Sequence, residues 1–440
     1  MATQLQKLGK DVFLTFLRHL LSLILGLAIA VLLARVLGAE GNGIYGMALL
    51  LPTMAATFLN LGLGPSNVFF LAAEKVDIHI VLKNTLQLWV LLSIVGVVTS
   101  YLFVYFFANT YFPGVNANFL KLSIWIFPLT LLNTFLVSVL QGMRDFKKFN
   151  LVALITPLAN FLFAIGALLI FKLNIEGAIL AYLFGQFTTI LVLVRYLPEI
   201  GKIRNIFRIE KYASDSLTYA FKTHLSNMLS FINYRADLFL INFFLGPLFT
   251  GIYLVAVQIT ERAWILSQVV STVLLPYLAD LKEDEALRLK LTPFMARSIF
   301  LVTLLGSILM GLLAQWLIDV LFGDEFQKAT RVLLWLLPGI CFGSVSRVYA
   351  NDISARGKPE LNFYAAIVVV LVNIGLNLAL IPKFGLVGGA WATSVAYLLN
   401  MVLKIGLYIW VTNLGLRQIL LPNQIDRQIY ELIKKKMSNG

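Results

Sequence analysis

Residues 37–45 read LGAEGNGIY and residues 245–253 read LGPLFTGIY, so one short motif occurs twice in the chain. The leucine, the first and last glycines, the isoleucine and the tyrosine recur after a shift of 208 residues. A weaker echo relates EGAILAY at 176–182 to GGAWATS at 388–394. Membrane transporters are commonly built from two repeated halves. The two pairs of motifs therefore predict an internal duplication of the chain.

The composition around these motifs is that of a membrane protein. Of the 440 residues, 59% are hydrophobic and 13% are charged, whereas soluble proteins have about 25% charged residues. This balance excludes soluble enzymes. One cysteine and three scattered histidines give no basis for a disulfide framework or a zinc site. No Walker A motif and no catalytic acidic pair in a long loop occur, so we expect no cofactor, no metal and no enzymatic activity.

Twelve apolar stretches are long enough to cross a membrane as helices. A helix needs about 20 mostly apolar residues to span a hydrocarbon core about 30 Å thick. The stretches are too long for barrel strands and lack a strict apolar and polar alternation. Their approximate limits are 12–37, 44–71, 81–107, 119–143, 149–171, 176–197, 218–245, 249–278, 293–318, 329–351, 361–381 and 386–412.

The duplication and the spans together predict the fold class and the domains. We expect an all-α integral membrane protein, with twelve transmembrane helices in two pseudo-symmetric six-helix bundles around a central cavity. Because each half has an even number of spans, the two repeats run parallel. The predicted domains are an N-terminal lobe at 1–205, a cytoplasmic linker at 206–217, a C-terminal lobe at 218–412 and a basic amphipathic tail at 413–440.

The distribution of Lys and Arg predicts the orientation. Most of the 35 basic residues fall on the side shared by the N-terminus, the linker and the tail, and basic residues accumulate on the cytoplasmic side of membrane proteins. We therefore predict that both termini are cytoplasmic. The same rule explains the net charge of +13, so we expect no binding of nucleic acid. Lys404, within the last span, is expected to snorkel to the inner interface.

Several longer stretches resemble one family, the bacterial polysaccharide flippases. ARVLGAEGNGIYGMALLLP (34–52) and NLGLGPSNVFFLA (60–72) resemble the N-terminal signature of these proteins. YRADLFLINFFLGPLFTGIYLVAVQITE (234–261) resembles the opening of their C-terminal half, and QGMRDFKKFN (141–150) and SARGKPELNF (354–363) resemble two of their connections. The family includes O-antigen and exopolysaccharide flippases and belongs to the multidrug/oligosaccharidyl-lipid/polysaccharide (MOP) exporter superfamily.

The resemblance implies a function. It implies that the protein moves an undecaprenyl-diphosphate-linked oligosaccharide, an O-antigen or exopolysaccharide repeat unit, from the inner to the outer leaflet of the bacterial cytoplasmic membrane. We expect transport by alternating access, coupled to a proton or sodium gradient. The expected partners are this lipid-linked oligosaccharide, membrane lipids, and a polysaccharide polymerase with chain-length proteins. We expect a monomer.

Two other transport functions stay open. An ion-coupled multidrug or organic cation exporter of the same superfamily would need an acidic cavity, whereas the predicted helix interiors hold more bases than acids. A lipid II flippase is the second alternative, although the resemblance implies fourteen spans for most of that group.

Polar residues within the spans are the candidate substrate-binding residues. A charged side chain at the centre of a span costs about 2.5–3.5 kcal/mol on insertion scales, so it should face a partner or a wet cavity. Guanidinium groups bind phosphate oxygens in bidentate fashion. We therefore predict a cationic cavity for the diphosphate, with amide and phenol groups nearby for the sugars. The predicted residues are Arg18, Arg35, Tyr45, Asn60, Asn227, Arg235, Arg262 and Arg347.

Two acids lie deep in the predicted spans, Asp237 and Glu261. A buried carboxylate is the usual proton or sodium switch of a coupled transporter, so both are ion-coupling candidates. An alternative stays open for Glu261, because it lies at a similar predicted depth to Arg235 and could pair with it between helices. Arg35, at the end of its span, could instead anchor a lipid headgroup or the outer turn.

Overall fold

The computed structural model describes residues 2–73, 75–203, 211–264 and 285–421. Within these ranges the chain forms helices, turns and no strand. The predicted all-α membrane protein is confirmed. The helices are α1 (Ala2–Leu59), α2 (Leu63–Ala72), α3 (Ile78–Tyr111), α4 (Ala117–Ile124), α5 (Ile126–Gly142), α6 (Phe146–Ile165), α7 (Asn174–Tyr196), α8 (Lys211–Leu245), α9 (Pro247–Arg262), α10 (Glu285–Leu321), α11 (Lys328–Ala355), α12 (Pro359–Phe384), α13 (Leu386–Thr412) and α14 (Leu416–Leu420).

The predicted spans correspond to these helices. Ten helical segments of the described residues are long and apolar enough to cross a membrane. The first of them, within α1, covers most of the first predicted span and the first part of the second. Helix α9 covers the start of the predicted span 249–278, and residues 265–278 of that span lie outside the described residues. Residues 204–210 of the linker region and 422–440 of the predicted amphipathic tail also lie outside the described residues.

A glycine of the repeated motif marks the same turn in both halves. Gly38 interrupts α1 with φ 68° and ψ −178°, and Gly246, its counterpart, separates α8 from α9 with φ 83°. Positive φ is readily available to glycine because it lacks a Cβ atom. The duplicated glycine therefore allows the chain to turn between the first two spans of each half.

The second predicted span, 44–71, is wrong as an uninterrupted helix. The chain leaves the helix after Leu59 and resumes at Leu63. Asn60 Oδ1 accepts a hydrogen bond from the Gly62 N–H at 2.7 Å, and Leu61 and Gly62 both have positive φ. An asparagine side chain that bonds the backbone two residues later competes with the helical hydrogen bonds. Hydropathy alone does not register this competition.

The described chain divides into two compact units. Unit 1 comprises Met1–Phe231, Ile241–Val255 and Leu321–Glu325, and unit 2 comprises Ile232–Leu240, Ala256–Val320 and Phe326–Gly440. Both copies of the repeated motif fall within unit 1. The predicted lobe limits, which rest on the sequence alone, stay a prediction.

Each unit exposes an apolar helix face of the kind that faces lipid. In α3, large side chains spaced by three or four residues are exposed: Leu91, Ile94, Val98, Leu102 and Tyr105. In α10 the corresponding face carries Leu301, Leu305, Ile308, Leu312 and Trp316. Contiguous apolar surface of this extent is rare on soluble proteins. These two faces agree with a location in the hydrocarbon core.

A buried ionic network centres on Asp352 in unit 2. Its carboxylate is fully buried and accepts hydrogen bonds from Arg288 Nε at 2.7 Å, Thr292 Oγ1 at 2.7 Å and Arg356 Nε at 2.9 Å. Arg356 also pairs with Glu285 at 2.5 Å. Several charge-assisted bonds compensate the cost of burying this carboxylate. The network joins the start of α10 to the end of α11.

Lys404 and Cys341 of unit 2 are also buried. Lys404 Nζ donates to Asn362 Oδ1 at 2.7 Å and to the Asn362 carbonyl at 3.1 Å. The snorkelling expected for Lys404 stays a prediction. Asn362 lies in the first turn of the neighbouring helix α12. Cys341 is buried in α11, with its Sγ 3.5 Å from Ser307 Oγ.

Candidate functional site

Three of the predicted arginines lie in one neighbourhood of unit 2, together with three aromatic rings. The Trp264 ring packs against Tyr234 and Tyr397, with centroids 5.4 and 5.2 Å apart. The guanidinium of Arg347 lies over the same indole ring at 5.3 Å. We call this group the arginine–aromatic cluster; its members are Tyr234, Arg235, Glu261, Arg262, Trp264, Arg347 and Tyr397.

The cluster contains the ion pair that the sequence left open as an alternative. Arg235 Nη1 lies 3.4 Å from Glu261 Oε1, and both side chains are about one third exposed, at 35% and 36%. The pairing of α8 with α9 is therefore confirmed. A pair at this distance and exposure is weak, so Arg235 retains donor groups toward its open side.

Arg262 and Arg347 have different surroundings from Arg235. Among the described residues, neither guanidinium forms an ion pair with a carboxylate, and the buried Nε of Arg262 has no hydrogen-bond partner. Arg347 is held by the face of Trp264, and the Trp264 N–H is occupied by the Ile340 carbonyl at 3.1 Å. A cation over an aromatic face keeps its in-plane N–H donors available. These two arginines can therefore bind an anion.

Asp237 lies in α8, half a turn after Arg235, and is buried. Its Oδ1 accepts from the Leu238 N–H at 2.7 Å and its Oδ2 accepts from Thr393 Oγ1 at 3.2 Å. One turn earlier on the same helix, Asn233 Oδ1 accepts from Asn373 Nδ2 at 2.9 Å. Asn377 Nδ2 in turn donates to the Asn373 carbonyl at 2.9 Å. Asp237 and Asn233 thus both form buried polar contacts from α8.

The other two predicted arginines lie in unit 1 and have specific partners. Arg18 donates to the His19 imidazole Nε2 at 2.6 Å, and its guanidinium lies 5.4 Å from the Phe149 ring centroid. Arg35 Nε donates to the Leu321 carbonyl at 2.8 Å. The bond made by Arg35 fastens the end of α10 within unit 1. The substrate-binding roles predicted for both residues stay predictions.

The three polar candidates of unit 1 each have their own surroundings within that unit. Tyr45 is buried in a hydrophobic core formed by α1, α5, α6 and α7. Asn60 closes the turn between α1 and α2. Asn227 is exposed on α8. Within unit 2 the structure thus brings together Arg235, Glu261, Arg262 and Arg347. The substrate-binding roles predicted for Tyr45, Asn60 and Asn227 stay predictions.

Sequence reasoning missed the aromatic half of the cluster. Trp264 and Tyr397 were not among the predicted residues, because aromatic residues are common throughout an apolar chain and carry no charge to mark them. A usable signal was present for Trp264, which follows Arg262 by two residues near the middle of a predicted span. Its partner Arg347 lies 83 residues later, and no local pattern relates the two.

The family comparison identifies a known group of proteins. Residues 8–282 match the family described as "Polysaccharide biosynthesis protein". A relative from Shigella flexneri, named "Putative O-antigen transporter", is 24% identical over 389 residues, which cover 86% of this chain and 91% of the relative. The alignment thus extends through both halves of the duplication.

Solved structures show the same fold. The lipid II flippase MurJ, in an inward closed conformation, superposes with a TM-score of 0.77 at 21% identity, covering 93% of this chain and 89% of MurJ. An inward-facing multidrug resistance MATE family transporter of the MOP superfamily superposes with a TM-score of 0.73 at 14% identity, covering 89% of this chain and 94% of that one. The family match spans more than half of the chain, and the protein is therefore a multi-pass membrane protein of the polysaccharide biosynthesis protein family, with the fold of the MOP superfamily.

Proposed function

We propose that the protein is a flippase that moves an undecaprenyl-diphosphate-linked oligosaccharide from the inner to the outer leaflet of the cytoplasmic membrane. The observation that carries this proposal is the pair Arg262 and Arg347, two guanidinium groups without a carboxylate partner among the described residues. Keeping such groups in an apolar chain is costly. A diphosphate headgroup would compensate this cost with charge-assisted hydrogen bonds.

The charge of the cluster favours an anionic headgroup over an organic cation. The cluster holds three arginines, and Glu261 is its one acid, already engaged with Arg235. An organic cation exporter would need the opposite balance, with an acid free to meet the substrate. The diphosphate chemistry is shared by lipid II, so the sugar portion must distinguish the two lipid-linked substrates.

The transport cycle that we propose uses alternating access, with both termini on the cytoplasmic side. Substrate binding would shift the population between inward-open and outward-open states. We further propose coupling to a proton or sodium gradient through Asp237, with Glu261 as a second candidate. The burial of Asp237 beside Thr393 supports this role, because a desolvated carboxylate responds strongly to a bound cation or proton.

Reconstituted protein tests the proposal. We expect Arg262→Gln and Arg347→Gln each to slow the flipping of a fluorescent undecaprenyl-diphosphate-linked oligosaccharide in proteoliposomes by roughly 10-fold or more, since a hydrogen bond to a charged group contributes about 1.5–3 kcal/mol. Arg331→Gln is the matched control, because Arg331 is exposed at the opposite end of α11. Normal flipping by both variants would contradict the role of the cluster, and equal flipping of lipid II would point to the alternative substrate.

A further inference from the structure

Unit 1 contains a cavity that the arginine–aromatic cluster does not involve. Its volume is about 810 Å³, within the range typical of sites for small molecules. Four helices of unit 1 contribute to it: α2, α5, α6 and α7. The lining side chains are Pro65, Val68, Phe69, Thr130, Asn133, Thr134, Val137, Ser138, Gln141, Thr156, Gln186 and Thr189, with the backbone of Gly64.

The polar side of the cavity consists of hydroxyl and amide groups. On α5 the polar residues Thr130, Asn133, Thr134, Ser138 and Gln141 follow helical spacing and form one stripe on an otherwise apolar helix. A polar stripe on a membrane-spanning helix must face protein or a wet space. None of the described residues that line the cavity is charged. The site therefore suits neither a phosphate nor a metal cation.

Most of these hydroxyl and amide groups already form a hydrogen bond within the protein, which fixes their orientation. Asn133 Nδ2 donates to the Gln186 carbonyl at 3.0 Å, and Thr156 Oγ1 lies 2.9 Å from Thr189 Oγ1. Two buried atoms are left without a hydrogen-bond partner among the described residues, Asn133 Oδ1 and Thr130 Oγ1. Asn133 is 93% buried by its 7% exposure. Buried polar atoms without a partner are costly, and a bound hydroxyl group would remove that cost.

The remaining lining provides an apolar wall. The Phe69 ring packs edge-on against the Phe70 ring, with centroids 5.3 Å apart. Lys75 Nζ lies 4.6 Å from the centroid of the Phe69 ring. Val68, Val137 and the threonine methyl groups add further apolar surface. A ring that carries hydroxyl groups on its rim and C–H bonds on its faces matches both kinds of lining.

We propose that this cavity is a binding site for an uncharged sugar ring, a glycan subsite within unit 1. The inference rests on the proposed function insofar as the sugar is a residue of the transported oligosaccharide. The cavity supplies hydroxyl and amide groups to the sugar hydroxyls, and Phe69 supplies an apolar surface to one face of the ring.

The test uses the full protein in lipid nanodiscs and an oligosaccharide without its diphosphate. The probe is the glycan released by mild acid from the source cell's lipid-linked pool, observed by saturation-transfer NMR. We expect binding to the wild-type protein, and binding roughly 3- to 10-fold weaker in Thr130→Val, because one hydrogen bond contributes about 0.5–1.5 kcal/mol. This variant keeps the side-chain volume and removes only a hydroxyl that has no partner, so we expect its folding to be unimpaired.

Two further variants complete the test. Thr134→Trp should block the cavity and abolish binding, because Thr134 is exposed at its rim. Thr188→Val is the matched control: Thr188 lies on α7, is half-buried, and its hydroxyl donates to the Phe184 carbonyl at 2.8 Å. Absence of glycan binding to the wild-type protein, or binding that Thr134→Trp leaves intact, would overturn the inference.

The outcome is distinguishable from failure of the proposed function. If glycan binding follows this pattern while Arg262→Gln and Arg347→Gln flip the lipid-linked oligosaccharide at the wild-type rate, the subsite is supported and the diphosphate role of the arginines is contradicted. If the arginine variants are slow while Thr130→Val and Thr134→Trp bind the glycan normally, the proposed function stands and the subsite falls.

Discussion

Gly43 and Gly251, which occupy the same position in the two copies of the repeated motif, pack backbone against backbone within unit 1. A Cβ atom built on Gly43 would lie 2.8 Å from the Gly251 nitrogen, and one built on Gly251 would lie 2.9 Å from the Gly43 nitrogen. Both distances are shorter than real Cβ contacts. The motif that reveals the duplication is therefore also the place where α1 and α9 meet.

We predict that Gly43→Ala and Gly251→Ala each destabilise the protein. The added methyl group would collide with backbone atoms, which cannot move aside as a side chain can, and such overpacking costs about 1–3 kcal/mol. Thermal unfolding in detergent would show the loss as a lower Tm. Gly306→Ala is the control: a Cβ there meets nothing within 4 Å, and alanine favours a helix by about 1 kcal/mol over glycine. An unchanged Tm in Gly43→Ala and Gly251→Ala would show that the contact between α1 and α9 can adjust to the added methyl group.

We predict that Arg235→Ala lowers surface polysaccharide without lowering the amount of protein in the membrane. The ion pair of Arg235 with Glu261 is long and partly exposed, so its loss should cost little stability. The substitution also removes one guanidinium group of the cluster that could donate to the substrate. Immunoblots and quantification of surface glycan would separate the two effects. Wild-type levels of glycan would argue that Arg235 acts only on Glu261.

For ion coupling, we predict that Asp237→Asn abolishes the dependence of transport on the proton or sodium gradient. Asparagine keeps the shape and can still accept from Thr393, but it carries no titratable charge. Flipping in proteoliposomes with imposed gradients measures the effect, and Glu261→Gln is tested in parallel. Glu360→Gln, exposed at the start of α12, should behave like wild type. An unaltered dependence in either variant would exclude that residue as the coupling site.

We predict that Asp352→Asn is among the most destabilising single changes in unit 2. It leaves Arg288, which is 3% exposed, buried without its counter-charge, and breaking a buried pair in this way costs about 3–5 kcal/mol. The yield of monodisperse protein and its Tm would both fall. Asp319→Asn, which weakens a surface contact with Gln315, should leave both unaltered. A normal Tm for Asp352→Asn would mean that water or lipid headgroups replace the carboxylate.

The sequence predicts the helices of this protein well because membrane insertion depends on the summed hydrophobicity of about 20 consecutive residues. Breaks within an apolar run depend on single side chains, and that is why the turn at Asn60 was not predicted. The bonds of Asn60 and Gly62 involve two or three residues only, and a sum over twenty residues hides them.

The candidate site was predicted in part, for a related reason. Arg235 and Glu261 could be matched from the sequence because they lie at similar distances from the turn between α8 and α9. Asp352 could not be matched with Arg288, because 64 residues separate them and their contact depends on how α10 and α11 pack. Glu261 pairs with Arg235, whereas its neighbour Arg262 has no carboxylate partner among the described residues. This difference also depends on tertiary contacts.

The burial of Cys341 makes the native protein suitable for thiol labelling. It is the one cysteine in the chain and is 3% exposed, so a maleimide added to intact membranes should leave it unmodified. Cysteines introduced at Thr134 or beside Arg347 can then be labelled directly in the otherwise unaltered protein. Their reactivity from either side of the membrane would report which positions become wet during transport.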